Sequence, residues 1–155
     1  MDDGSDQTPG ERRLDRPPSD RYRVAEEPET ERAGSPARAV AFGLFAAIGG
    51  AIALALLGGV VTISAGLIVV AAVIGWVVAI AVLAGDTGSR STSWGIAIAI
   101  GLALGSVALG QLGLWLYART EGGVLPIIDY LAQTFGFLVP IELVLAGLTA
   151  WVTAR

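Results

Sequence analysis

From Ala39 to Gly85 the chain runs for 47 residues without a charged side chain. A helix needs about 20 apolar residues to cross the roughly 30 Å hydrocarbon core of a bilayer. The run therefore has the length of two crossings joined by a turn. The composition agrees: 54% of residues are hydrophobic, 21 are glycine and only 15% are charged, which is not the balance of a water-soluble domain. These features predict an all-α membrane protein.

The charge is concentrated ahead of that run. Ten of the fourteen acids and seven of the ten bases lie in the first 38 residues, leaving four acids and three arginines for the rest. The same segment holds five of the seven prolines and a single aromatic, Tyr22. It has too little apolar surface to offset the entropy of ordering, so residues 1–35 are expected to form a disordered tail. Its mixed signs make little net field and no nucleic-acid partner is expected. So long and acidic a segment does not suit a signal peptide, and the first apolar run is expected to remain as a span.

Residues 36–155 are expected to form a four-transmembrane-helix bundle. Ser35 and Pro36 suit a helix start, and paired Gly58 and Gly59 followed by Thr62 and Ser64 suit a break. The first two spans are thus placed at about 36–57 and 64–84. Residues 85–93 are small and polar, with Arg90, and read as a loop. A third span covers about 94–118, with Trp94, Trp115 and Tyr117 as interfacial anchors. Gly136 and Pro140 divide the last stretch into a short interfacial helix, 126–135, and a final span, 137–153. One long, kinked helix is the alternative. In the short helix Ile127 or Ile128, Leu131 and Phe135 share one face, and Asp129 and Gln133 another.

Arginines near span ends stay on the cytoplasmic side. Arg38, Arg90 and Arg155 fall on one side of a four-span arrangement and Arg119 on the other. Both termini are therefore expected in the cytoplasm, with the chain in the cell membrane.

Lipid is as apolar as leucine, so spans associate through close backbone approach and interhelical hydrogen bonds. Small residues recur every fourth position: Gly43, Ala47, Ala51 and Ala55 in the first span, and Ala97, Gly101 and Gly105, beside Ser106 and Gly110, in the third. These stripes are expected to pack helices within the chain, or to meet a second copy or another membrane protein.

The chain has no Cys and no His. Disulfides, thiol or imidazole catalysis and common transition-metal sites are thereby excluded. No phosphate-binding loop or nucleophile elbow is present, so neither an enzyme nor a cofactor is expected. Two residues stand out instead. Glu142 is an ionisable group within a span, costly there and often functional. Gln111, in the third span, lies at a similar depth from the same side, so the two can meet as an intramembrane polar site for a proton or cation. Against this, Pro140 and Glu142 also resemble a helix start, with an acid facing the positive helix end; Pro126 with Asp129 repeats the idea fourteen residues earlier. Trp76, midway along the second span, is expected in the interior with its indole N–H on a neighbouring helix. The expected role is that of an accessory or scaffold subunit acting by helix–helix association. A small oligomeric transporter or channel using Glu142 as an intramembrane proton or cation site is the alternative.

Overall fold

The structure is a computed structural model and describes residues 35–59, 66–86, 93–122 and 124–155. Among these there are five helices and no strand: α1 Pro36–Gly59, α2 Gly66–Gly85, α3 Ser93–Glu121, α4 Ile127–Thr134 and α5 Leu138–Ala154. The expected tail, the turn after Gly59 and most of the Arg90 loop lie outside the described residues.

In water such segments would be poor helices, because glycine, valine and isoleucine all cost helix propensity relative to alanine. They are also apolar all round, as buried or lipid-facing helices are. In hydrocarbon a backbone must satisfy its own polar groups, which a helix does within one segment. Three helices, α1, α2 and α3, are long and apolar enough to cross a membrane; α4 and α5, bent by 92° at their junction, supply a fourth if that pair is one span. At 17 residues α5 is about 25 Å long.

α1 begins where expected, the Ser35 carbonyl accepting from the N–H groups of Arg38 and Ala39. It runs past the expected break, with Gly58 and Gly59 inside the helix. α3 continues three residues beyond Ala118, and the chain turns at Gly122, where φ is +98°.

Packing partners fix the direction of each helix. Gly50 of α1 lies against Ser106, Ala55 against Gly113 and Gly58 against Leu114, so α1 and α3 run parallel. Gly43 meets Val82, Gly50 meets Ile74 and Gly58 meets Leu67, so α2 is antiparallel to α1. Gln111 meets Glu142 and Leu104 meets Gly147, so α5 is antiparallel to α3. α1 and α5 each pack on both α2 and α3, which form the shared middle of the bundle. One end of the bundle therefore holds the start of α1 with Arg38 and the end of α5 with Arg155. The other holds Arg119, Glu121 and α4.

The core is built from small residues. Gly43, Ala47 and Ala51 of α1 are buried, as expected, and so is Gly110 of α3, which fits against Leu54 and the Ala51 carbonyl. Gly85 meets the backbone of Arg38 and Ala39, and Gly75 meets the Ala146 carbonyl and Thr149. Gly101 and Gly105 correct the expected inner seam. Gly101 is exposed, Gly105 half-buried, and a Cβ on either would meet nothing within 4 Å; Ala97 is exposed as well. The buried face of α3 runs through Ala99, Ala103, Ser106 and Gly110 instead. Two residues along a helix is a rotation of about 200°, which turns the Gly101 stripe outward. Trp76 also points outward, 53% exposed, because Ile74, Gly75, Val78 and Ala79 take the inner face of α2.

α4 is amphipathic. Phe135, after its last turn, is buried, Ile127 and Leu131 are half-buried, and Ile128, Asp129 and Gln133 are exposed. The helix ends where the N–H groups of Phe135 and Gly136 both donate to the Leu131 carbonyl, with Gly136 at φ +52°. That left-handed residue is what lets the chain turn through the bend. Trp115 Nε1 donates to the Leu125 carbonyl at 3.0 Å and anchors the connection from α3.

Candidate functional site

Three polar side chains, Ser106, Gln111 and Glu142, are buried among the described residues. Half-buried Thr149 joins them in bonding across helices. Ser106 Oγ donates to the Ala47 carbonyl at 2.7 Å, linking α3 to α1. Thr149 Oγ1 lies 3.0 Å from the Ala72 carbonyl of α2, and 2.8 and 3.2 Å from the carbonyls of Leu145 and Ala146 in its own helix. One hydroxyl proton is thus shared between the α2 contact and back-bonding within α5. The third link joins α3 to α5: Gln111 Nε2 donates to Glu142 Oε2 at 2.5 Å.

The geometry of this pair follows from helix spacing. Glu142, Ala146, Ala150 and Ala154 recur every fourth residue and are all buried, so the carboxyl heads a stripe of alanines. The short side chains below it let α5 approach its neighbours closely. Gln111 lies one turn beyond Val107 on the buried side of α3. Glu142 is 0% and Gln111 2% exposed. The two residues singled out in the sequence are therefore in contact.

The helix-start reading of Glu142 is corrected. α5 begins at Leu138, so Glu142 is its fifth residue, the first turn holds no acid and no side chain caps the end. Pro140 is tolerated inside the first turn because its missing N–H is one that has no intrahelical partner there. The proline thus does not mark the first residue, and the carboxyl lies a turn deeper than a capping acid. Asp129 does occupy the first turn of α4, exposed to the surroundings.

Gln111 Oε1 and Glu142 Oε1 have no hydrogen-bond partner among the described residues. Unpaired polar atoms at such depth are unusual in a folded interior. No described arginine pairs with the carboxyl: Arg119 is exposed and stacks on the Trp115 ring, 4.8 Å from its centroid, and Arg155 stacks on Trp151 in the same way. Arg38 lies at the other end of the bundle, its Nε donating to the Gly85 carbonyl.

Among the described residues no three His, Cys, Asp or Glu side chains cluster as they would around a metal. An apolar groove of about 490 Å³ lies between α3 and α5, lined by Ile100, Leu104, Leu143, Val144, Gly147, Leu148 and Trp151. Sequence reasoning missed Thr149, whose signal was a lone hydroxyl among small residues, Ala146, Gly147 and Ala150. It placed Ser106 beside the wrong stripe.

Compared with protein-family models, with curated proteins and with solved structures, the chain matches none.

Proposed function

We propose that this protein is a non-enzymatic integral membrane protein, a four-span bundle with both termini cytoplasmic in the cell membrane. In this reading it acts as an accessory or scaffold subunit, associating through its helices with a second copy or with another membrane protein. The observation that carries the reading is the outward stripe of Ala97, Gly101 and Gly105 on α3. Among the described residues a Cβ on Gly101 or Gly105 would meet nothing within 4 Å, while the buried polar side chains are engaged in holding helices together. A small-residue stripe in an apolar helix allows the close backbone approach by which spans associate. Exposed hydrophobic side chains on the other helices, Phe45, Val69 and Val144 among them, suit contact with lipid or another span.

The test is to replace both Gly101 and Gly105 with leucine and to follow association in liposomes by energy transfer between labelled copies, and in cell membranes by crosslinking. A Cβ at either position meets nothing within 4 Å among the described residues, so folding should be retained while association falls at least about tenfold, a loss of about 1.4 kcal/mol. Association unchanged by the double substitution would overturn the role given to α3.

The buried carboxyl favours a second reading, a small oligomeric transporter with Glu142 as its proton site. Under it, Glu142→Gln abolishes proton-coupled flux in liposomes without unfolding the protein. Wild-type protein without flux would remove this reading.

A further inference from the structure

The two oxygens without partners, Gln111 Oε1 and Glu142 Oε1, belong to the same pair of side chains, and one hydrogen bond already joins those side chains through their other atoms. A primary amide offers one donor and one acceptor side by side; a carboxylate offers two acceptors, and a carboxylic acid an acceptor and a donor. With a carboxylate the pair can form one bond, and two buried acceptor oxygens are left without a partner among the described residues. With a carboxylic acid the mismatch disappears, because Oε1–H of Glu142 donates to Oε1 of Gln111 while Nε2–H of Gln111 donates to Oε2 of Glu142.

We propose that the Gln111–Glu142 contact is a proton-binding site, in which one proton carried on Glu142 Oε1 closes a two-bond acid–amide ring and latches α5 to α3. The ligand is the proton itself, taken up from hydronium with release of water. Opening returns it to water and leaves a carboxylate and the orphaned amide oxygen of Gln111.

The surroundings agree with a neutral acid. α2 contributes no titratable side chain, and α3 carries Tyr117, Arg119 and Glu121, all exposed. On α4, Asp129 is exposed and Tyr130 packs edge-on against Phe135, while Arg155 sits at the far end of α5 on Trp151. No described cation faces the carboxyl to hold a negative charge. An ionised Glu142 would therefore be a buried charge without a counter-ion, which is far more costly than a hydrogen-bonded neutral acid. The inference shares the proton on Glu142 with the transport reading but needs no flux: it rests on the α3–α5 contact, and the infrared band tests it separately.

The experiment is infrared spectroscopy of the full chain in lipid bilayers, in light and heavy water, with wild type compared against Glu142→Gln and Gln111→Asn. Wild-type protein in neutral buffer should show the C=O stretch of a hydrogen-bonded carboxylic acid, shifted in heavy water. Glu142→Gln can form both bonds of the ring as an amide pair, so it should fold and lack the band. Gln111→Asn is too short to close the ring, and should move the band to the position of a less strongly bonded acid. Carboxylate bands alone in neutral wild-type protein, or an acid band that survives in Glu142→Gln, would overturn the proposal. Should Glu142→Gln fail to fold, the displacement of the band in Gln111→Asn decides the matter, and an unmoved band counts against the ring.

Discussion

Glycines of similar appearance in the sequence have opposite duties in the bundle. A Cβ on Gly75 would collide with the Ala146 carbonyl and the Thr149 hydroxyl, and backbone cannot move aside as a flexible side chain can. Gly75→Ala is expected to destabilise the protein by about 1–3 kcal/mol, in the range of overpacked sites. Gly101→Ala meets open space and should be neutral or stabilising by up to about 1 kcal/mol from helix propensity. Reversible denaturation in mixed micelles compares the two, and a larger loss at Gly101 would contradict the assignment of faces. Ser106→Ala removes the bond to the Ala47 carbonyl and should cost about 0.5–1.5 kcal/mol in the same assay. At this scale the sequence disclosed the residue types and their four-residue spacing but not the phase. Gly101 and Ala99 are both small, and nothing local says which of two opposed faces of α3 finds a neighbour. The Gln111–Glu142 contact was legible because polar groups are so rare in these spans that similar depth alone restricted the choice of partner.

Among the elements, the junction of α4 and α5 is the most sharply specified. Phe135 and Gly136 share the Leu131 carbonyl, and Gly136 takes a left-handed conformation that costs a residue with a Cβ roughly 1–2 kcal/mol. Gly136→Ala should therefore lower stability by about that amount or relax the 92° bend. Distances between spin labels on Gln133 and Leu148 would report the relaxation, and a substitution with neither effect would show that the angle is set elsewhere. Gly136 and Pro140 made the break legible, since both interrupt a helix in the usual reading. The final span, expected from 137, begins within one residue of that position, at Leu138. Proline in a first turn loses no hydrogen bond, so Pro140 does not fix the first residue, and of the two readings of Glu142 the one with an acid in the first turn is not met.

For the whole molecule, the number of long apolar helices could be read from uninterrupted apolar length, whereas their neighbours could not. That α2 and α3 occupy the middle depends on close contacts such as Gly75 with Ala146, which have no signature in either segment alone. The alternating directions of α1, α2, α3 and α5 put α4 at one end of the bundle and Asp86 at the other. In the proposed topology α4 is outside. The chain contains no native cysteine, so an impermeant thiol reagent on intact cells should modify Gln133→Cys and spare Gly88→Cys; the opposite pattern would invert the orientation. The distance between Gln111 and Glu142 along the chain, 31 residues, also bears on biogenesis. Synthesis from the N-terminus makes the amide before the carboxyl, so in the proposed membrane topology each would enter lipid as an unsatisfied group. Docking of α5 on α3 gives each side chain its first partner in the other.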